Sequence, residues 1–232
     1  MDERTEIDAT LGAGGWFASL PAEIRAEVLS AGTVRNLTAG KCLFDEDGAP
    51  TGLHAVLSGE LHIIGLSADG NAITMGIIRP GDWTGFLTCL DNLPHFYSGI
   101  ARADTRTFSL RQADVTRIFE RDVATFRLLL MPELTVSRKL RRFLLDDFGR
   151  PLAQRVAARL SDLGRSPYQF PVGPVVPLRN FSQEELAMSV VATRPRINKI
   201  LRDFAAKGMI ELGYGQITVI DLPALERFAR DD

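Results

Sequence analysis

Four basic side chains occur within a short stretch near the end of the chain, with no acidic residue among them. They are Arg194, Arg196, Lys199 and Arg202. The apolar residues Ile197 and Ile200 fall between them, at positions that face the other side of a helix. Cationic groups on one helix face can bind phosphates and the acceptor atoms of base edges. The pattern therefore favours a helix that lies in a DNA groove over a merely solvated surface helix.

A partner helix and a tight turn are predicted just before this basic helix. Leu186, Ala187 and Val190 have helical spacing and can pack against Ile197 and Ile200. Two short helices that cross at a steep angle around a turn form a helix-turn-helix.

The residues around the turn support this interpretation. Thr193 is a candidate N-cap, because its hydroxyl can accept a free backbone N–H. Pro195 then falls in the first helical turn, where its missing N–H costs little. Residues 210–219, with Gly213 and Gly215, predict a hairpin that follows. A helix-turn-helix with such a hairpin is typical of a winged helix-turn-helix.

Composition sets broad limits on function. The 232 residues are 45% hydrophobic and 24% charged, as in a globular protein. Lys and Arg total 27 against 29 Asp and Glu, so the net charge of −2 says nothing by itself about nucleic acid. Cys42 and Cys89 lack the spacing of a zinc site or a disulfide framework. The sequence has no membrane-length apolar run and no signal-peptide pattern, so we expect a cytoplasmic protein.

The first half of the chain predicts a sheet structure behind a helix. Residues 17–29 carry a helical apolar stripe. Residues 33–110 contain short apolar segments separated by turns such as Ser58-Gly59, Asp69-Gly70 and Pro80-Gly81. Short strands at this density indicate a small antiparallel roll or barrel.

Longer helical periods follow. Residues 115–121 predict a short helix and residues 122–147 a long one. The long helix carries apolar residues spaced by threes and fours, so it must bury that stripe against the roll or against a second copy of itself. We expect Pro132 to kink this helix or to divide it. The stripe comprises Phe126, Leu129, Leu130, Leu134, Leu140, Phe143 and Leu144.

Residues 148–151 mark the predicted domain boundary, since a glycine follows the long helix and a proline precedes the next one. Beyond it we expect a helix over Leu152–Leu163 and a strand-poor flap over residues 168–178. The prediction is an α+β protein with an antiparallel roll over residues 1–121, a long helix over 122–147 and a winged helix-turn-helix domain over 148–232.

Taken in order, these parts resemble the Crp/Fnr superfamily of bacterial transcription regulators. The resemblance covers nearly the whole chain and is carried by the phrases at residues 16–21, 39–44, 56–61 and 80–82, followed by the helix-turn-helix. It implies a sensory, cyclic-nucleotide-binding-like roll over residues 1–121, a dimerisation helix over 122–147 and a DNA-binding domain over 148–232. It also implies a homodimer on a pseudo-palindromic double-stranded DNA site. It also implies RNA polymerase as a partner.

The sequence departs from this family where cyclic nucleotides bind. Gly85-Phe86-Leu87 stands where members have Gly-Glu-Leu, and Tyr97-Ser98-Gly99 where they have Arg-Ser-Ala. Both charged groups are missing, and a buried phosphate without its guanidinium would be poorly compensated. We therefore expect no cyclic AMP binding of the usual kind.

Two alternatives remain for the interior of the roll. Its aromatic residues can line a pocket for an apolar or aromatic ligand, or they can fill the interior themselves. By resemblance, Thr135 falls where the dimerisation helix reaches into the pocket. The candidate pocket residues are Trp83, Gly85, Phe86, Leu87, Phe96, Tyr97, Ser98 and Thr135.

Other classes of site fit poorly. Two cysteines cannot hold an iron–sulfur cluster, and each of His54, His62 and His95 is a weak candidate for a haem ligand. A cupin-like metal enzyme needs a histidine cluster with a carboxylate, and no two histidines are close in sequence. We find no nucleophile–base constellation, and we predict no metal, no cofactor and no enzyme.

In the DNA-binding domain, the resemblance assigns roles by position. Arg194 matches the base-reading arginine of the family, whose partner is guanine. Pro195 replaces a glutamate that accepts from cytosine, so the sequence read at that base must differ. Val191 occupies a turn position that usually carries a glycine with positive φ, where a β-branched residue is strained.

Asn198 is a candidate reader of adenine, and Lys199 of guanine or phosphate. Candidate phosphate contacts are Ser182, Gln183 and Thr193, and Arg196 completes the predicted DNA-binding set. The sequence thus predicts a homodimeric transcription regulator whose DNA domains reorient about residues 147–149. The alternative is a constitutive regulator that needs no effector.

Overall fold

A β-roll preceded by helices forms the N-terminal part of the protein. The computed structural model describes residues 2–13, 15–147, 149–165, 178–179, 181–213 and 216–230. The first helices are α1 (Glu3–Gly12), α2 (Gly15–Ala18) and α3 (Ala22–Ala31). The predicted helix over residues 17–29 is therefore wrong as a single element. Its break falls before Pro21, because proline disfavours a helical conformation in the preceding residue.

Two four-stranded antiparallel sheets make up the roll, which confirms the predicted architecture. One sheet has the strand order β1-β8-β3-β6 and the other β2-β7-β4-β5. The strands are β1 (Thr33–Leu37), β2 (Cys42–Phe44), β3 (Leu53–Ser58), β4 (Leu61–Leu66), β5 (Ala72–Ile78), β6 (Trp83–Thr84), β7 (Ser98–Ala101) and β8 (Thr105–Leu110).

A pair of buried histidines lies inside the roll. The Nε2 atoms of His54 and His95 lie 2.9 Å and 3.0 Å from the hydroxyl of Thr51, and His54 Nδ1 lies 2.9 Å from Ser109 Oγ. The His95 ring stacks on Phe44 with a centroid distance of 4.3 Å. Sequence spacing gave no sign of this pairing. Burial lowers the pKa of both rings, and that of His54 falls to about 3.

Three helices follow the roll strands or interrupt them. They are α4 (Phe86–Asp91), α5 (Gln112–Phe119) and α6 (Val123–Asp147). The α5 helix begins three residues before the predicted start of the short helix and ends two residues before its predicted end. The α6 helix confirms the predicted long helix. It continues through Pro132, so the alternative of a division there is wrong.

Trp16 explains how the long helix tolerates its proline. In a regular helix the carbonyl of Leu128 would accept from the amide of residue 132. Pro132 has no N–H, so this acceptor loses its intrahelical partner. The indole Nε1–H of Trp16 donates to the Leu128 carbonyl at 2.7 Å and takes the place of the missing amide. The N-terminal segment thereby stabilises the middle of α6.

The described residues of the C-terminal part form four helices and a small sheet. Its elements are α7 (Leu152–Leu163), β9 (Leu178–Arg179), α8 (Gln183–Ser189), α9 (Arg194–Ala206), β10 (Ile210–Gly213), β11 (Gln216–Val219) and α10 (Leu222–Arg230). The sheet order is β10-β11-β9. The predicted helix over Leu152–Leu163 is confirmed. Most of the predicted flap over residues 168–178, and Phe148 of the predicted boundary, lie outside the described residues.

The hairpin of β4 and β5 joins the roll to the C-terminal part. Ile77 of β5 is fully buried within the hydrophobic core formed by α7 to α10. Arg79 Nη1 donates to the Leu163 carbonyl at 3.2 Å, and Arg159 donates to the Thr74 carbonyl. In the ranges that the structure describes, no helix combines the length and apolar character of a membrane span.

Candidate nucleic-acid interface

A reciprocal cap begins the first helix of the helix-turn-helix. Ser182 Oγ accepts from the amide of Glu185 at 3.1 Å, and Glu185 Oε2 accepts from the amide of Ser182 at 2.8 Å. Together these contacts form a capping box. The other carboxylate oxygen, Glu185 Oε1, accepts from Arg102 of the roll at 2.9 Å. One side chain therefore fixes the start of α8 and ties it to the roll.

The turn between α8 and α9 has the strain that its sequence predicts. Val191 has a φ of 51°, in the left-handed region that a β-branched side chain rarely adopts. The amide of Ala192 donates to the Ala187 carbonyl at 2.8 Å and closes the turn. Val191 itself is 84% exposed.

The second helix begins at the predicted cap residue. Thr193 is the N-cap of α9, but its hydroxyl makes no capping hydrogen bond, so that part of the prediction is wrong. An N-cap side chain accepts from the second or third helical amide. Pro195 occupies the second position and has no amide to donate. Of the two amides that could donate to the Thr193 hydroxyl, the one at the second position is therefore missing.

One face of α9 packs in the core and the opposite face is exposed to solvent. Ile197, Leu201 and Phe204 are buried, and Leu186, Ala187 and Val190 pack in the same core. Leu201 and Phe204 were not among the residues predicted to pack the two helices. The basic residues Arg194, Arg196, Lys199 and Arg202 are all exposed. The amphipathic helix inferred from residue spacing is confirmed.

A cleft of about 400 Å³ opens between the two helices and the β10–β11 hairpin. It brings together Ser182, Gln183, Arg194 and Asn198 of the predicted DNA-binding set. The cleft is not lined by three other members of this set, which are Thr193, Arg196 and Lys199. All three are exposed. Lining residues that the sequence analysis did not single out are Phe181, Glu184, Gly213, Gln216 and Ile217. The hairpin residues among them would have been found by treating the wing as part of the site.

The residues predicted to form an effector pocket divide between core and surface. Trp83 and Phe86 are fully buried, with their rings packed edge-on against Trp16 at centroid distances of 5.3 Å and 4.9 Å. Phe96 is 77% exposed. Core packing of this kind corresponds to the alternative in which aromatic side chains fill the roll themselves.

The remaining pocket candidates have local partners. Gly85 has a φ of 96° and directly precedes α4, where an added Cβ would lie 2.3 Å from the Gly52 carbonyl oxygen. Ser98 Oγ accepts from the Glu46 amide at 2.9 Å, and Thr135 Oγ1 donates to the Met131 carbonyl of its own helix at 3.0 Å. Leu87 and Tyr97 are half-buried.

Together, the roll, the long helix and the winged helix-turn-helix define a DNA-binding protein with an N-terminal β-roll domain. Two family models match in this order. The cyclic nucleotide-binding domain matches residues 34–122, and the Crp-like helix-turn-helix domain matches residues 154–228.

Known proteins resemble the chain over most of its length. It is 28% identical to the CRP-like cAMP-activated global transcriptional regulator of Mycobacterium tuberculosis, over 97% of this chain and all of that protein. It is 31% identical to the HTH-type transcriptional regulator Cmr of the same species, over 85% of this chain and 76% of that protein. A CRP/FNR family regulator of Thermus thermophilus shares the fold, with a TM-score of 0.62 and 23% identity over 86% of this chain and 99% of that one.

The chain belongs to the Crp/Fnr family of transcription regulators. It is a DNA-binding protein of the helix-turn-helix type.

Proposed function

We propose that the protein acts as a homodimer, with the α9 helices of two copies reading a pseudo-palindromic DNA site. The observation that carries the proposal is the cleft in which Arg194 and Asn198 of α9 lie beside the wing. We infer the division predicted from the sequence, with a sensory roll over residues 1–121, a dimerisation helix over 122–147 and a DNA-binding domain over 148–232. Relatives that are transcriptional regulators support RNA polymerase as a further partner.

The dimer is supported by the apolar face of α6. Leu129 is buried against the roll, but five of the described apolar side chains between residues 131 and 145 are 42% to 76% exposed. A stripe of this kind is stabilised by a second helix. The exposed apolar side chains are Met131, Leu134, Leu140, Leu144 and Leu145.

Replacing both Leu140 and Leu144 with glutamate should convert the dimer to monomers. Four carboxylates would then meet in an apolar interface without compensation. Light scattering measures the mass, and circular dichroism checks that each chain stays folded. The matched control is Leu66→Glu, a charge placed on an apolar residue that is 60% exposed on the roll. A double variant that remains dimeric would place the interface elsewhere.

Arg194 is the proposed guanine reader. It is exposed at the first turn of α9 and lines the cleft, where a bidentate contact to a guanine edge is sterically open. Replacing it with alanine should weaken binding to the selected site by about 1–3 kcal/mol, with a smaller loss on competitor DNA. Titration of both DNAs by fluorescence anisotropy measures the difference.

Arg196→Ala is the control for this prediction, since Arg196 is exposed but is not a lining residue of the cleft. It should weaken both DNAs to a similar extent, as loss of a phosphate contact does. If Arg194→Ala behaves in the same way, Arg194 is a phosphate contact rather than a base reader.

Coupling between roll and DNA domain would pass through the contacts already described. Movement about residues 147–149 would break the Arg102–Glu185 ion pair and withdraw Ile77 from the C-terminal core. We propose that the state of the roll controls DNA binding by shifting this equilibrium.

Cyclic AMP activates the Mycobacterium tuberculosis relative, but we propose a different input here. Phe86, which is fully buried, stands where the family has the glutamate that holds a ribose hydroxyl. The filled aromatic interior favours a second candidate, a constitutive regulator controlled by its own concentration. Selection of genomic DNA with effector-free protein separates the two. A recovered palindrome supports the constitutive form, and weak binding without a motif supports a regulator that must first be loaded.

A further inference from the structure

Two amide side chains meet across the helix-turn-helix at the cleft. Asn198 Nδ2 donates to Gln183 Oε1 at 2.8 Å, and both side chains are half-buried. Gln183 is the first residue of α8, and Asn198 lies one turn after Arg194 on α9. The contact therefore joins the first helix of the motif to the reading face of the second.

We propose that Gln183 is a positioning residue that holds the Asn198 amide so that Asn198 reads an adenine in each half-site. This inference rests on the proposed function and names a base determinant within it. It also gives Gln183 a role other than the phosphate contact that the family resemblance implies.

The hydrogen-bonding capacity of the asparagine amide fits this role. The amide nitrogen carries two N–H groups and the oxygen accepts two hydrogen bonds. One N–H is committed to Gln183, which leaves the other N–H and the oxygen to contact a base. Adenine presents an acceptor at N7 and a donor at N6 in the major groove, and asparagine binds both together. A fixed amide plane is what such a bidentate contact requires.

The placement of Asn198 agrees with a contact to a base edge. Residues four apart lie on the same helix face, so Asn198 follows Arg194 along the reading face. Both line the cleft, together with Gln216 of the wing. Pro195, between them in sequence, has no side-chain donor or acceptor for a base. On α9, Asn198 is therefore the residue that lines the cleft together with Arg194 and can contact a neighbouring base.

The positioning role and a phosphate role make opposite demands on residue 183. Holding Asn198 uses the side-chain oxygen as an acceptor. Binding a phosphate through the side chain requires a donor, which in the Gln183 side chain only the Nε2 amide supplies. Glutamate keeps the acceptor and removes the donor, whereas alanine removes both. The pair Gln183→Glu and Gln183→Ala therefore separates the two roles.

The experiment is a selection of binding sites from randomised duplex DNA with the full-length wild-type protein and three variants. Dissociation constants are then measured for the selected site and for sites in which the adenine is replaced. For Asn198→Ala we expect the preference for adenine to fall by about 5- to 150-fold. For Gln183→Ala we expect a fall of about 2- to 12-fold at the same position, with other positions unchanged.

Gln183→Glu is the conservative variant that should retain the adenine preference. Its added negative charge lowers affinity for every DNA, but the ratio between adenine and replaced sites should stay near the wild-type value. An unchanged preference in Gln183→Ala would overturn the positioning role. Loss of preference in Gln183→Glu would overturn it as well. Thermal melting of each variant confirms that the fold is retained.

Failure of the proposed function would give a different result. A wild-type protein that binds duplex DNA tightly but selects no motif contradicts base reading by α9 altogether. A wild-type motif without adenine at any half-site position contradicts only the role of Asn198 and its support by Gln183.

Discussion

Replacing Trp16 with alanine is expected to lower the free energy of unfolding by about 3–5 kcal/mol. The side chain is 7% exposed and packs its ring against Trp83, Phe86 and Phe119. Its loss would leave a cavity at the centre of the N-terminal core. It would also leave the Leu128 carbonyl without the donor that replaces the missing amide of Pro132. Chemical denaturation, followed by far-UV circular dichroism because the variant lacks a tryptophan, measures the change in the free energy of unfolding.

A double-mutant cycle separates the hydrogen bond from the packing. Trp16→Phe keeps an aromatic ring but removes the indole donor and part of the ring volume. The unpaired Leu128 carbonyl alone should lower the free energy of unfolding by about 1–3 kcal/mol. Pro132→Ala restores a backbone amide that can donate to Leu128 within the helix. In the Pro132→Ala background, Trp16→Phe should therefore cost less than it does in the wild type. Equal costs in the two backgrounds would mean that the indole is not the substitute donor.

Acidification should destabilise the protein between about pH 6.5 and pH 3 through His54. Burial, the neighbouring His95 and the charge of Arg35 lower the pKa of His54 from 6.5 to about 3. Below pH 6.5 the unfolded chain takes up a proton at this histidine that the native ring does not accept. Unfolding free energy is then lost as the pH falls, at up to about 1.4 kcal/mol per pH unit from this group. Urea unfolding at a series of pH values measures the slope.

His54→Gln is the matched variant for this prediction. Its side-chain amide reaches the position of the ring nitrogen near Thr51 but does not titrate in this range. The variant should be less stable at neutral pH and should lose less stability on acidification than the wild type. Carboxylates contribute equally to both proteins, so the difference between the two slopes reports His54. Parallel slopes would show that the buried ring is not the source of acid sensitivity.

Residue spacing predicted the elements that depend on local periodicity. The strands between Thr33 and Leu110, the limits of α7 and the two helices of the DNA-binding motif all follow from apolar repeats and turn residues. The strained turn at Val191 was predicted as well. The family resemblance places a positive φ at this position, and a β-branched valine conflicts with it.

Contacts between residues distant in sequence could not be predicted in this way. Trp16 and Leu128 are 112 residues apart, and nothing local to either shows that one supplies a donor to the other. Thr51 and His95 are 44 residues apart and meet only because the roll brings the segments before β3 and β7 together. Continuity of α6 through Pro132 depends on the first of these contacts, so a local rule for proline predicted a possible break.

In the candidate interface, too, local features were predictable from the sequence and contacts between helices were not. Exposure of Arg194, Arg196 and Lys199 was predictable from the helical repeat that buries Ile197. Pairing of Gln183 with Asn198 depends on the crossing of two helices and on side-chain rotamers, which sequence spacing does not determine.

Ile77 makes the two halves of the chain thermodynamically interdependent. It belongs to a roll strand, yet its side chain completes the core of the C-terminal unit. Unfolding of the C-terminal unit exposes Ile77 to water. Unfolding of the roll leaves an apolar cavity in the core of the C-terminal unit. Each half thus contributes to the cooperativity of the other. A fragment that begins near residue 150 would lack the Ile77 side chain, so we expect the isolated C-terminal unit to be less stable than the same unit within the chain.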